Sequence, residues 1–289
     1  MTSERAKPAM LVNLSISQWY NKITDKKVIH ELAEKYGEES TVDDKYSKSL
    51  LPKEAMAGIQ KAIGRLRTAH YQMTLPWEDG GLRILPSKMY FEYIARMNKL
   101  NEAFVAEVNA FVKKYYSYKE QARAKKGPLF NETDYPADST ISNYFEMRIS
   151  FLPLPDSGDF RLDLDEVTQE EIKKSATASL AAGLEGSRLF LYKRFEVLLE
   201  AYCNSTTEGK KRRFESTIVN LYEFVETIPQ LNVTNDDELE HLAHKVSTNL
   251  CQFSADTLKR DEESRKFANK YAMELLNELK AAKEGKPSV

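Results

Sequence analysis

YFEYIARMNKLNEAFVAEVNAFVKKYYSYKEQARAKK, residues 90–126, is the stretch from which the fold class is read. Tyr90, Ile94, Met97, Asn101, Phe104, Val108, Phe111, Tyr115, Tyr118 and Ala122 recur at steps of three and four, which places them on one face of a long helix. The pattern resembles a heptad seam. Tyr93, Leu100, Val105 and Val112 widen the stripe, so the helix should meet more than one neighbour. Gly127-Pro128 stops it.

Upstream, Pro52 opens a second amphipathic run through Met56, Ile59, Ile63, Leu66, Ala69 and Met73, which ends before Pro76. Residues 75–86 read as a tight turn or small hairpin, because Asp79-Gly-Gly81 supplies residues tolerant of positive φ. Leu11 to Ser17 alternates apolar and polar side chains and predicts a half-buried strand near Trp19. Residues 25–50 suggest a short helix and a loop.

Downstream, Met147–Leu152 and Phe160–Leu164 predict a β-hairpin, and the strand near Val12 is its natural third member, since a lone hairpin is marginal in water. Thr168 and Glu171 form a capping-box signature for a helix reaching about Tyr202. Further helices carry Phe214 to Ile228, ending at Pro229, and Leu239 to Phe253. The last stripe fades between Thr257 and Arg265, then resumes at Phe267, Tyr271, Leu275 and Leu279. The pattern predicts an α-dominated α+β fold with partly coiled-coil-like helices and a small antiparallel β element. One elongated domain over 1–282 with a hairpin near 147–164, followed by a flexible tail at 283–289, is the expected organisation.

The 289 residues carry 42% hydrophobic and 30% charged side chains, the balance of a helix-rich globular chain. With a formal net charge of -2, no global field attracts nucleic acid or anionic lipid, so any such binding needs a local patch. No apolar run approaches the roughly 18 residues of a membrane span, and no secretory signal opens the chain, so the expected location is the cytoplasm. Cys203 and Cys251 lack metal-type spacing and read as free thiols.

No phosphate loop, dinucleotide fingerprint or nucleophile elbow occurs, and no catalytic residue, cofactor site or metal site is nominated. Glu238 and His241 match the spacing of a di-iron carboxylate–histidine pair, yet the remaining ligands of such a centre are missing.

The strongest local patch spans Lys113 to Lys126, with six basic residues, one acidic residue and three tyrosines. Lys113, Lys114, Arg123, Lys125 and Lys126, joined by Lys210, Lys211, Arg212 and Arg213, are candidates for phosphate contacts, with Tyr116 free to stack on a base. The bland reading is that the tyrosines continue the seam and the lysines complement a helix C-terminus. Phe267, Tyr271, Leu275 and Leu279 are candidates for a contact with a second copy, because they lie beyond a polar break. Two functions are therefore carried forward: a non-enzymatic, self-associating assembly protein, and a sequence-independent DNA-binding protein that favours single strands.

Leu11-Val-Asn-Leu-Ser-Ile-Ser-Gln-Trp19, Leu82-Arg-Ile-Leu-Pro86, Asp134-Tyr-Pro136 and Phe151-Leu-Pro-Leu-Pro155 resemble an uncharacterised family of tailed phages and some bacteria. Its members are often encoded near MoxR-type AAA+ ATPases. The resemblance implies a phage accessory role, with such an ATPase as a partner, and brings no functional residue with it.

Overall fold

The computed structural model describes residues 9–36, 46–77, 81–155, 166–208 and 214–283. Helices dominate, with a small antiparallel sheet, as the hydrophobic periods predict. In chain order the elements are β1 (Ala9–Ser17), β2 (Lys22–Thr24), α1 (Lys26–Tyr36), β3 (Ser47–Ser49), α2 (Ala57–Met73), β4 (Leu75–Pro76), β5 (Leu82–Pro86) and α3 (Tyr90–Lys126). They are followed by β6 (Glu146–Leu152), α4 (Glu166–Glu208), α5 (Phe214–Leu231), α6 (Asp237–Asn249), α7 (Ala255–Arg260) and α8 (Glu262–Lys283).

One sheet has the order β4-β5-β1-β6, and β2 pairs with β3 in a separate ribbon. β1 and β5 run antiparallel with Leu11 opposite Ile84, and the expected small hairpin is β4–β5, with Leu75 opposite Ile84. Gly81, at φ 92, occupies the left-handed region that its turn needs. β1 does lie beside β6, as expected for Val12 and its neighbours. The proposed partner strand Phe160–Leu164 falls outside the described residues.

Where the pattern reads as one domain over 1–282, contacts group the chain into two compact units. The first comprises Met1–Asn13, Met73–Phe91 and Phe151–Val289; the second comprises Leu14–Gln72 and Glu92–Ser150. Of the proposed tail, residues 284–289 lie outside the described part.

In the first unit, α4 packs on α5 and α8, and α6 packs on both of those helices. Phe195 and Phe224 meet edge to face at 5.9 Å, a geometry that suits two ring quadrupoles. Gly183 lets α4 approach the Trp77 ring closely, and Ser187 donates its hydroxyl to the Pro76 carbonyl at 2.9 Å. The single C-terminal helix read from the pattern is instead three. Ser254 caps α7 by accepting from the Thr257 amide, and Asp261 accepts from the Glu263 amide at the start of α8. Helix α5 runs past Pro229 to Leu231.

In the second unit, α2 and α3 are antiparallel: Gly58 faces Glu107, His70 faces Tyr93 and Gln72 faces Arg96. The buried side of α3 is Tyr93, Met97, Phe104, Val108, Phe111, Tyr115, Lys119 and Ala122. Its spacing averages about 3.6 residues per turn, the period of a straight helix rather than the 3.5 of a supercoil. Gly127, at φ 52, ends α3 in the left-handed conformation that a C-terminal glycine adopts readily.

Candidate nucleic-acid interface

A rib made of residues 49–53 organises the surface of the second unit. Lys22 sits opposite Ser49 in the β2–β3 ladder. The Asn21 side chain then extends the ladder: its Oδ1 accepts from the Leu51 amide at 2.6 Å, and its Nδ2 donates to the Leu51 carbonyl at 2.9 Å. Pro52, at φ -54, stiffens the exit into a 3-10 turn at Lys53–Met56.

Two open depressions flank this rib. One, of about 640 Å³, lies between the rib and Gln18, Tyr20, Lys22 and Gln60; the other, of about 600 Å³, lies between the rib and Gln121, Lys125, Lys126 and Leu129. Lys53 borders both. Tyr20 is 73% exposed, and the Gln60 side-chain amide donates to Gln18 Oε1 at 2.7 Å. Trp19 also lines the first depression but is spent on packing, with its ring against Phe111 and edge-on to Tyr115.

The electrostatics of the rim are one-sided. Among the described residues, Lys22, Lys53, Lys125 and Lys126 make no ion pair and no carboxylate lines either depression. The Lys126 amine is pushed below the usual lysine range by partial burial and by the positive charges of Lys48 and Lys125.

Lys48, by contrast, is 8% exposed and fully engaged behind the rib. Its Nζ lies 3.0 Å from the carboxylates of both Asp25 and Asp134 and donates to the Leu129 carbonyl at 3.0 Å. Burial opposes its charge, yet the two carboxylates outweigh that and raise it above the ordinary lysine value. A parallel latch holds the 127–145 segment on α3. Lys119 pairs with Asp138 at 2.9 Å and with Glu132 at 3.0 Å, while Tyr115 donates to the Pro136 carbonyl at 3.0 Å.

The basic patch read from residues 113–126 is divided by this geometry. At about 100° per residue, Lys114 and Lys125 fall on the same flank of α3 as Gln121, whereas Tyr116 and Arg123 fall on the opposite flank. Arg123 is occupied: it pairs with Glu120 and Glu132 and lies 4.6 Å from the Phe130 ring centroid. Tyr116 is 62% exposed, off the packed stripe, and Lys113 and Lys114 are exposed without lining either depression. Lys210, Lys211, Arg212 and Arg213 lie outside the described residues. Lys22, Lys53 and Tyr20 escaped the sequence reading because none belongs to a continuous basic run or to a periodic apolar stripe.

The C-terminal stripe is not a free seam. Leu275 and Leu279 are buried within the first unit, and the Tyr271 hydroxyl accepts from Asn249 at 2.9 Å. Phe267 alone of the four stays largely open, beside Phe253 and stacked on Tyr271. The expected reason for self-association, an unburied stripe beyond a polar break, therefore reduces to one ring.

Among the described residues no three His, Cys, Asp or Glu side chains gather as a metal site, and His241 and His244 are exposed. Cys203 and Cys251 are free, and burial pushes both thiols up to about 11. No described helix is long and apolar enough to cross a membrane. No family model, curated protein or solved structure matches the chain.

Proposed function

We propose that the protein binds single-stranded nucleic acid without sequence preference along the two depressions of its second unit. The supporting observation is the rim itself: among the described residues, four lysines without ion-pair partners, no lining carboxylate, and the open ring of Tyr20 beside one end. Ammonium groups track a phosphate backbone, and a tyrosine face stacks on any base. With a net charge of -2, such binding is a property of this surface rather than of the whole chain.

Fluorescence anisotropy of a labelled deoxythymidine oligomer, titrated with the full chain at two salt concentrations, tests the reading. Four phosphate contacts at about 0.7 each give a slope near -3 for log affinity against log salt. Replacing Lys22, Lys53, Lys125 and Lys126 together by Glu should abolish binding. Equal affinity in that variant would sink the proposal.

A second reading, protein–protein assembly, draws on Phe91. This ring is 83% exposed and forms a surface aromatic cluster with Tyr90 and Phe151 in the first unit. Homo-oligomerisation, a phage accessory role and an AAA+ ATPase partner belong to this reading. Sedimentation velocity of the wild type and Phe91→Ser is its test: a mass above one chain that falls in the variant supports it, and a monomer in both removes it.

A further inference from the structure

The two depressions beside the rib differ in chemistry. The one bordered by Tyr20 holds rings and amides, with Lys22 and Lys53 as its only cations among the described residues. The other has no aromatic residue among its described lining; Lys53, Lys125 and Lys126 border it, with Ser49 and Gln121 as neutral polar neighbours and a floor that includes Leu50 and Ala122. Resting on the single-strand reading, we infer that this second depression binds a phosphate monoester, the group found at a phosphorylated strand end.

Charge counting decides between a monoester and an internal diester. A diester brings one negative charge, whereas a monoester near pH 7 brings about 1.5 to 2 and three strong acceptor oxygens. Three ammonium groups without an ion-pair partner among the described residues match the monoester better. The carbonyl end of α3 opposes an anion by about half a charge, which three lysines outweigh. The apolar floor strengthens each contact by keeping water from one side. Burial depresses the Lys126 amine most, the charges of Lys48 and Lys125 add to this and Asp134 opposes it, and a dianion held against Lys126 would offset the depression. Lys48 does not compete for the ligand, because all three of its hydrogens are engaged.

The test compares oligomers of one sequence bearing a 5′-phosphate, a 3′-phosphate or hydroxyls at both ends, in anisotropy titrations with the full chain. A phosphorylated end should bind about tenfold more tightly than the hydroxyl oligomer. In Lys126→Gln and in Lys125→Gln the phosphorylated and hydroxyl oligomers should bind with one common affinity, weaker than that of the wild type for the hydroxyl oligomer, with thermal melting confirming that the variants fold. Equal binding of all three oligomers overturns the monoester pocket and leaves the single-strand reading standing. If no oligomer binds, that reading fails, and calorimetry with thymidine 5′-monophosphate and with inorganic phosphate decides the pocket alone. Binding that Lys126→Gln removes assigns it to a small phosphorylated molecule, and no binding of either probe overturns it.

Discussion

Tyr135 donates its buried hydroxyl to the Leu50 carbonyl at 2.9 Å, tying the 127–145 segment to the rib between the two depressions. The side chain of Tyr135 stacks on Phe130 at 5.0 Å, so ring and hydroxyl are both engaged. Tyr135→Phe keeps the stacking and leaves the Leu50 carbonyl without this donor. Unfolding in urea should show a loss of about 1–3 kcal/mol, the usual cost of a buried unsatisfied group. An unchanged midpoint would mean that water replaces the bond.

Lys48 makes the second prediction. Its carboxylate partners Asp25 and Asp134 are themselves only 15% and 13% exposed. Lys48→Met takes the Lys48 ammonium away from both buried carboxylates, which should cost about 3–5 kcal/mol. Because the folded-state pKa of Lys48 is raised, its contribution is fully present below the ordinary 10.5 and is lost as pH rises through the folded value. The stability difference between wild type and Lys48→Met should therefore shrink only in the alkaline limb above that pH. A difference that shrinks instead between pH 7 and pH 9 would contradict the assignment.

Gly183 offers a packing test in the first unit. A Cβ at this position would overlap the six-membered ring of Trp77. Gly183→Ala should destabilise by about 1–3 kcal/mol from overpacking, less the roughly 1 kcal/mol gained in helix propensity. Gly183→Ala combined with Trp77→Leu should recover most of that loss in thermal melts. Additive losses in the double variant would show that the two residues do not meet.

The divided basic patch gives a fourth. Lys125→Glu should weaken oligomer binding at least tenfold, while Tyr116→Ala and Lys113→Glu should change it less than twofold, as read by anisotropy. Arg123→Ala should lower stability by up to about 1 kcal/mol, since its ion pairs are half exposed, and leave binding intact. The reverse ranking would restore the interface to the opposite flank of α3.

Much of the fold was legible because long helices repeat their period many times. Met97, Phe104, Val108, Phe111, Tyr115 and Ala122 were read from spacing alone and are buried. Lys119 was not, since nothing in its own stretch signals that Asp138 and Glu132, on a segment of short 3-10 turns, will neutralise it. The C-terminal helix breaks were present as Ser254 and Asp261, whose capping role was hidden inside a charged run. Three of the four stretches that carry the phage-family resemblance include strand residues of β1, β5 and β6, and the first of them runs on to Gln18 and Trp19 beside the first depression. The depressions were not legible because residues 18–22, 49–53 and 121–126 meet only through β2–β3 pairing and the end of α3.

Photo-crosslinking of a 5-bromouracil-containing single-stranded oligomer to the full chain, with the adducts mapped by mass spectrometry, tests the proposed interface most directly. The dominant adduct should fall on Tyr20, with any further adducts within residues 49–53 and 121–126. Dominant adducts at Tyr116 or anywhere in the first unit, or no adduct at protein concentrations that saturate anisotropy, would contradict it.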